Sequence, residues 1–314
     1  MEKRDKLGRI ILDDYEVLND YIIGRKEKIW LEKDKKKYLF KSGASNYEIY
    51  AELIASELAL QCGFPTAYYD IATINGKTGV ITPSFLNVND IIISGEQYLN
   101  TADEIAMQNN FTYNFKENSI KNIYEAVIML DGRTDNVDKL LNDLLQLWCF
   151  DLVIMESDRN KTNWSIIRNG VGNARLAPIY DCSTMARMNT DIESLVKNLR
   201  TDNQIYNIID SIQYSLKIND ERDCNFYRDL EYLCHRFPIQ ISNIIESIKR
   251  IDVDDAINKI EERINKDKEN KVFEIPYAIK MWLSKAIELR RNDMISICNR
   301  VLNINSENIH RFKI

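Results

Sequence analysis

Residues 151–181 have the sequence DLVIMESDRNKTNWSIIRNGVGNARLAPIYD. They overlap an apolar run at 144–155, which is continuous enough to predict a helix buried in a core. The polar segment 156–163 ends this helix. Two short strands are predicted next, at 164–167 and 175–180, on either side of a turn that contains Asn169 and Gly170. The second strand leads directly into Asp181, so the stretch predicts a buried helix, a polar loop and a two-stranded ribbon that ends in a carboxylate.

Three polar side chains in this stretch suit phosphoryl transfer. Asp158 and Asn163 have the D-x-x-x-x-N spacing of a kinase catalytic loop, in which the Asp orients and deprotonates the attacking hydroxyl and the Asn ligates a metal ion. Asp181, at the far end of the ribbon, would fill the role of the Asp in D-F-G, which holds Mg²⁺. The spacing alone also fits a plainer interpretation, in which Asp158 caps a helix or turn, Asn163 lies at a bend and Asp181 begins the next element.

The N-terminal residues 9–41 predict short strands separated by charged turns. A loop that covers the phosphates of a nucleotide is predicted around Gly24, with the basic residues Arg25, Lys26 and Lys28 beside it. A solvated hairpin tip is the alternative interpretation of this loop. Lys41 ends an apolar strand, where a lysine either reaches solvent at the sheet edge or points into a site.

Residues 46–62 predict an amphipathic helix, which Gly63 terminates. The helix carries Glu48 and Glu52 one turn apart. A strand lysine followed by a helix glutamate is the kinase arrangement that positions the lysine on the α- and β-phosphates. Both glutamates would otherwise simply solvate the helix surface. Residues 67–82 predict a hairpin around Asn75-Gly76, a sequence that favours a type I′ turn.

The rest of the chain is predicted to be mostly helical. Residues 88–118 are irregular, which predicts a loop with short helical pieces, and helices are predicted from 119 onward. Together these elements predict an α+β, bilobal, protein-kinase-like fold. Its small β-rich N-lobe spans residues 1–87 and its large, mostly helical C-lobe spans residues 88–314.

Composition excludes several other classes of protein. A net charge of −6 does not favour nucleic-acid binding. The six cysteines are scattered without metal-ligand spacing, and two histidines offer little to a zinc site or a histidine triad. No segment is long enough to span a membrane, and the first residues lack the apolar core of a signal peptide. We therefore expect a cytoplasmic protein, with secretion by a signal-peptide-independent route left open.

Several blocks of sequence resemble the HipA-like kinases, a bacterial branch of the protein-kinase-like fold. The matching blocks occur in the order of the family and lie at residues 24–31, 38–41, 51–58, 63–65, 75–86, 158–164 and 176–181. They cover roughly residues 20 to 185 and are specific together, although each is weak alone.

The resemblance implies ATP and Mg²⁺ as cofactors and a Ser/Thr hydroxyl on a protein as acceptor, the kinase itself included. It implies that Glu52 rather than Glu48 orients Lys41. The catalytic residues would then be Asp158, Lys41 and Glu52, and Asn163 and Asp181 would hold metal. The nucleotide would be bound by Gly24, Arg25, Lys26, Lys28, Lys41, Asn163 and Asp181.

One position departs from the pattern of the family. Asn160 stands two residues after the predicted catalytic aspartate, where the family usually has a histidine, and an asparagine cannot become cationic. A small-molecule or lipid kinase of the same fold, and a pseudokinase that acts by binding alone, therefore stay as alternatives. The resemblance also implies an antitoxin-like protein partner, which would carry any DNA-binding domain.

Overall fold

The computed structural model describes residues 3–18, 28–43, 45–112, 115–132, 137–170, 173–197, 199–219, 223–266 and 272–311, with side chains up to residue 302. The chain forms two compact units. Unit 1 comprises Met1–Leu86, Pro178–Leu199 and Asp252–Ser284, and unit 2 comprises Asn87–Ala177, Arg200–Ile251 and Lys285–Ile314.

A six-stranded sheet forms the centre of unit 1. Its strands, in chain order, are β1 (Ile10–Ile11), β2 (Glu16–Leu18), β3 (Lys28–Lys33), β4 (Lys36–Ser42), β5 (Asp70–Ile74) and β6 (Lys77–Pro83). Their spatial order is β1-β5-β6-β4-β3-β2. β1 is parallel to β5, and the other neighbouring pairs are antiparallel.

Two tight hairpins set the register of this sheet. The β5–β6 turn has both central residues in the left-handed region, with φ of 48° at Asn75 and 77° at Gly76, as a type I′ turn requires. The β3–β4 turn has the same character, with φ of 51° at Asp34 and 61° at Lys35. The hairpin predicted around Asn75-Gly76 is therefore present.

Helix α1 (Asn46–Cys62) has the bounds that the sequence predicts. The side chain of Ser45 accepts a hydrogen bond from the backbone N–H of Glu48 and caps the first turn. Gly63, with φ of 74°, ends the helix in the left-handed conformation. α1 contacts β5, β6 and a later helix of unit 1, α9 (Val253–Asn265).

Short helical pieces complete unit 1. They are a 3₁₀ turn at Met185–Arg187, helix α5 (Ile192–Lys197) and the first residues of α10 (Tyr277–Arg311). The indole N–H of Trp282 on α10 donates to the carbonyl oxygen of Ala186 at 2.7 Å. This contact fixes the segment that follows Asp181 within unit 1.

Unit 2 is mostly helical. In chain order its elements are β7 (Ile91–Ser94), α2 (Gly95–Gln108), α3 (Ile120–Asp131), α4 (Val137–Ile154), β8 (Ser165–Arg168), β9 (Ala174–Leu176), α6 (Asp202–Ile209), α7 (Phe226–Arg236) and α8 (Pro238–Ile248), with the later part of α10. The three strands form an antiparallel sheet in the order β7-β8-β9.

Helix α4 confirms the predicted buried helix. Every residue from Leu147 to Ile154 is buried. Met155 leaves the helix with φ of 57°, and a polar loop then leads to β8. The second strand of the ribbon stops at Leu176, earlier than predicted, just before Pro178, which has no N–H to donate to a sheet.

The prediction for residues 88–118 was wrong. This segment contains β7 and the 14-residue helix α2. Ser94 and Gln97 form a reciprocal capping box at the start of α2, a helix-start signal that the prediction for residues 88–118 did not include. Gly95 is required there because a Cβ would lie 2.2 Å from the Trp164 ring.

The fold class is α+β and kinase-like, as predicted. The predicted lobes, 1–87 and 88–314, stay a prediction, since unit 1 also includes two later segments of the chain. Within the described residues, no helix combines the length and apolar character that crossing a bilayer requires.

Candidate active site

A buried lysine lies at the centre of the polar cluster in unit 1. Lys41 is near the end of β4, opposite Val80 of β6 and Lys28 of β3 in the sheet register, and is only 5% exposed. Its Nζ contacts Glu52 Oε1 and lies 2.5 Å from Asp181 Oδ1. The sheet and helix α1 thus place one cation between two carboxylates.

The charge of Lys41 is stabilised by its neighbours. Burial by itself lowers the pKa of this ammonium group, because the charged form loses water. The negative charges of Glu52 and Asp181 outweigh burial and raise the pKa above its usual value. Lys41 is therefore a fixed cation at neutral pH.

Glu52 connects the lysine to the segment after β9. The glutamate is 2% exposed, and its second carboxylate oxygen accepts a hydrogen bond from the backbone N–H of Cys182 at 3.1 Å. Glu48, one turn earlier, is half-buried, and its backbone N–H bonds the Ser45 cap. Of the two candidates Glu48 and Glu52, it is Glu52 that forms the ion pair with Lys41.

Asp181 adopts an unusual backbone conformation. Its φ is 56°, in the left-handed region that a non-glycine residue enters at a cost in energy. Its other carboxylate oxygen lies 3.4 Å from the Nζ of Lys28, so two ammonium groups face this carboxylate. Strained residues held by surrounding contacts cluster at functional sites, which makes Asp181 a candidate functional residue.

Tyr69 also belongs to this cluster. Its ring is buried, and burial raises the pKa of its hydroxyl well above the usual value. The charges of Glu52 and Asp181 raise the pKa further, although a hydrogen bond from the Asp181 backbone opposes them. The hydroxyl therefore stays protonated and neutral beside the two carboxylates.

The predicted phosphate-covering loop is only partly described. Gly24, Arg25 and Lys26 lie outside the described residues. Lys28 begins β3, and its contact with Asp181 brings it into the cluster. The structure thus brings together Lys28, Lys41, Glu52 and Asp181 in unit 1.

The second polar cluster lies in unit 2, in the loop between α4 and β8. Asp158 is exposed, and its carboxylate accepts hydrogen bonds from the side-chain amides of Asn160 at 2.9 Å and of Asn163 at 3.4 Å. The backbone N–H of Asp158 donates to Glu156 Oε1 at 2.7 Å. The predicted catalytic aspartate is therefore held by its own loop while its carboxylate faces solvent.

Asn163 is buried in the same loop. Its amide nitrogen donates to the carbonyl oxygen of Asp158 at 2.5 Å. Its Oδ1 lies 3.3 Å from the Thr162 hydroxyl oxygen, which is a long contact because that hydroxyl lies closer to Asn160 Oδ1, at 2.6 Å. The structure thus brings Asp158 and Asn163 together, whereas the other predicted metal ligand, Asp181, belongs to unit 1.

A buried ion pair connects this loop to helix α4. The guanidinium of Arg159 binds both carboxylate oxygens of Asp151 on α4, each at 2.9 Å, and donates to the carbonyl oxygen of Asn163 at 2.7 Å. Burial raises the pKa of the Asp151 carboxyl, and the charge of Arg159 opposes that rise. The pair fastens the loop to the core helix.

Sequence reasoning missed Asp151, Arg159, Glu156 and Tyr69. The signal for Asp151 was present, because a single carboxylate within the apolar run 147–155 needs a partner, and Arg159 is the next basic residue. Tyr69 gave no comparable signal, since an aromatic residue near a hairpin is usually part of the core.

The donor set can be compared with the needs of Mg²⁺. Within the described part of the chain, no three His, Cys, Asp or Glu side chains cluster as a metal site. Mg²⁺ in phosphoryl transfer is bound by one or two protein oxygens, substrate phosphates and water. The Asp181 carboxylate and the Asn163 amide oxygen are hard ligands of the right kind for this ion.

The fold and these two clusters define a kinase-like protein. Its elements are a sheet lysine paired with a helix glutamate, an aspartate at the end of a ribbon, and a D-x-x-x-x-N loop after a buried helix. The family model "HipA-like C-terminal domain" matches residues 21–259, about three quarters of the chain. The chain belongs to this HipA-like family.

Two solved structures share the fold of this chain. The chain is similar to the proinflammatory kinase CtkA of Helicobacter pylori, with 17% identity, a TM-score of 0.73, and coverage of 94% of this chain and 98% of that one. It is also similar to a chain of the Shewanella oneidensis MR-1 toxin–antitoxin complex of HipA, HipB and operator DNA, with 15% identity and a TM-score of 0.51. That match covers 90% of this chain and 65% of the other. At these identities the likeness shows the fold alone, and no curated protein sequence matches the chain.

Proposed function

We propose that this protein is an ATP- and Mg²⁺-dependent kinase that transfers the γ-phosphate to a Ser or Thr hydroxyl of a protein, with autophosphorylation among its reactions. The observation that supports this most strongly is the buried contact of Lys41 with Glu52 and Asp181. A lysine fixed as a cation by two carboxylates is suited to neutralise phosphate charge.

In unit 1, we assign phosphate binding to Lys41, with Glu52 holding its ammonium group in place. Gly24, Arg25, Lys26 and Lys28 are assigned to the nucleotide phosphates as well. Asp181 would hold Mg²⁺, and the ion would supply positive charge to neutralise the charge that develops on the phosphates. Tyr69, which is neutral and buried, would keep water away from the carboxylates.

In unit 2, we assign the acceptor chemistry to Asp158. Its exposed carboxylate can accept the proton of an approaching hydroxyl, and its loop contacts limit how far it turns. Asn163 would be the second protein ligand of Mg²⁺ through its Oδ1. These roles require little covalent chemistry from the protein, because positioning and charge neutralisation lower the barrier.

Two further points extend this proposal. The Shewanella oneidensis HipA match comes from a complex with HipB and operator DNA. We therefore propose an antitoxin-like protein partner for this chain, with no direct nucleic-acid contact of its own because its net charge is −6. A cytoplasmic location is also proposed, because of the likeness to the chain from the HipA, HipB and operator DNA complex.

The intact mass of the purified protein after incubation with Mg²⁺-ATP tests the kinase proposal. We expect mass gains of whole phosphate groups in the parent and none in Asp158→Asn, which is nearly isosteric. Asp223→Asn is the matched control, since Asp223 is an exposed aspartate of the same unit, and it should behave as the parent does.

The other outcomes separate the alternatives. Nucleotide binding and ADP formation without a mass gain would indicate a foreign acceptor, such as a small molecule or lipid. Nucleotide binding without ADP formation would indicate a pseudokinase. A parent protein that binds no ATP would contradict the kinase proposal.

A further inference from the structure

The side chain of Asn160 forms a bridge inside the α4–β8 loop. Its Nδ2 donates to Asp158 Oδ1 at 2.9 Å. Its Oδ1 accepts from the backbone N–H of Thr162 at 2.8 Å and from the Thr162 hydroxyl at 2.6 Å. One amide therefore connects the carboxylate of Asp158 to the residue that precedes Asn163.

This bridge lies on a turn that the backbone already forms. The N–H of Asn160 donates to the carbonyl oxygen of Asp158 at 2.8 Å, and the N–H of Asn163 donates to the carbonyl oxygen of Asn160 at 3.0 Å. The main chain thus sets the path of the loop. The Asn160 side chain sets something different, namely the direction of the Asp158 carboxylate.

Few other groups orient that carboxylate. Among the described residues, the Asn163 amide is its other hydrogen-bond donor, and at 3.4 Å this contact is long. Glu156 binds the Asp158 backbone and not its side chain. An exposed carboxylate without a short hydrogen bond samples several rotamers, and a small misplacement of a reacting group lowers the rate.

The chemistry of the bridge requires a side chain that donates and accepts at once. A neutral amide does both at every pH. An aspartate would still accept from Thr162 but would face Asp158 with a second negative charge. A neutral imidazole has one donor and one acceptor nitrogen, so it can also link Asp158 to Thr162, with one accepted hydrogen bond in place of two.

We infer that Asn160 is a positioning residue, which holds the Asp158 carboxylate in the direction needed for phosphoryl transfer through the bridge to Thr162. This inference rests on the proposed kinase function. Asn160 is thus a functional replacement at this position of the loop, not a mark of lost catalysis.

Steady-state ADP formation from Mg²⁺-ATP, with an added protein rich in Ser and Thr, such as casein, as the phosphoryl acceptor, tests this role. We expect Asn160→Ala and Asn160→Asp to lower kcat by about 10- to 100-fold, as misplaced catalytic groups do, while KM for ATP changes by less than about threefold. Asn160→His should retain most of the kcat of the parent, in contrast to the Ala and Asp variants. Asn203→Asp is the matched control, since Asn203 is exposed on α6 of the same unit, and it should leave both constants unchanged.

A second measurement examines the bridge without any need for activity. In the ¹⁵N-labelled full chain, the Asn160 side-chain amide is identified by its absence from the spectrum of Asn160→Asp. We expect its hydrogen exchange to be slow in the parent and clearly faster in Asp158→Ala, which removes the acceptor. The Asn203 amide should be unaffected.

The results separate two possible failures. A parent that forms no ADP contradicts the proposed kinase function, and amide exchange still decides whether the bridge exists. A parent that forms ADP, with Asn160→Ala unchanged in kcat, overturns the positioning role. Amide exchange that does not respond to Asp158→Ala overturns the bridge itself.

Discussion

Lys41 shows how burial and charge together define a candidate residue. A buried lysine is costly unless anions face it, and here two carboxylates do. The sequence placed this lysine at the end of an apolar strand and left Glu48 and Glu52 of α1 as candidates for its partner. The resemblance to the HipA-like kinases favoured Glu52 over Glu48, and Glu52 contacts Lys41 in the structure.

Removing the Lys41 charge should affect both stability and nucleotide binding. Lys41→Met leaves the Glu52 carboxylate buried without its cation, and loss of one partner of a buried pair typically costs about 3–5 kcal/mol. We expect a loss of that size in the free energy of unfolding, measured by chemical denaturation. We also expect a loss of ATP affinity, measured by calorimetry.

Lys36→Met provides the control for that experiment. Lys36 lies on the same strand but is exposed, so the same change should alter the free energy of unfolding by less than about 0.5 kcal/mol. If Lys41→Met bound ATP as tightly as the parent, Lys41 would not be the phosphate-binding lysine.

At the scale of elements, the α4–loop–β8 region was largely predictable. The apolar run predicted α4, the polar segment predicted the loop, and two short strands on either side of the Asn169-Gly170 turn predicted the ribbon, because each pattern is local. The Asp151–Arg159 pair was not predicted, because a side-chain contact between a helix and the loop after it leaves no periodic signal. The one carboxylate among apolar residues nevertheless indicated that Asp151 needs a partner.

The same local reasoning failed for β7 and α2. The strand contains only three consecutive isoleucines, two of them exposed, so it shows no clear alternation. The buried face of α2 includes the small residues Ala102 and Ala106, which contribute little to an apolar stripe. The capping box at Ser94 and Gln97 was the better signal for this helix.

The ion pair of the loop predicts a large effect on stability. Arg159→Met leaves the Asp151 carboxylate buried and removes a donor from the carbonyl oxygen of Asn163. We expect the free energy of unfolding to fall by about 3–5 kcal/mol in chemical denaturation. The double variant with Asp151→Leu should lose less than Arg159→Met alone, because no unpaired charge is then buried.

Arg300→Met is the matched control for Arg159→Met. Arg300 forms an exposed ion pair with Glu231 on the surface of unit 2, and such pairs contribute between zero and about 1 kcal/mol. A loss below about 1 kcal/mol for Arg159→Met would mean that the pair does not hold the loop.

At the scale of the whole molecule, the composition of unit 1 could not be derived from local patterns. Its sheet and α1 are encoded in the first 86 residues, but residues 178–199 and 252–284 complete the unit. Gln61 at the end of α1 exchanges hydrogen bonds of 2.9 Å with the start of α9, both to and from the backbone of Asp252. Such contacts join residues 191 positions apart, and no motif marks them.

This composition predicts that residues 1–87 do not fold alone. In the fragment, the α1 surface that contacts α9 would be exposed. Thr66 and Ala67 would also lose their bridge to Ile179, which includes a hydrogen bond of 2.8 Å. Because a domain of this size has little stability to spare, these losses should leave the fragment without a cooperative transition.

Thermal unfolding of the 1–87 fragment, followed by circular dichroism, checks this prediction, with the full chain as control. A fragment that unfolds cooperatively would instead establish the predicted N-lobe as an autonomous domain.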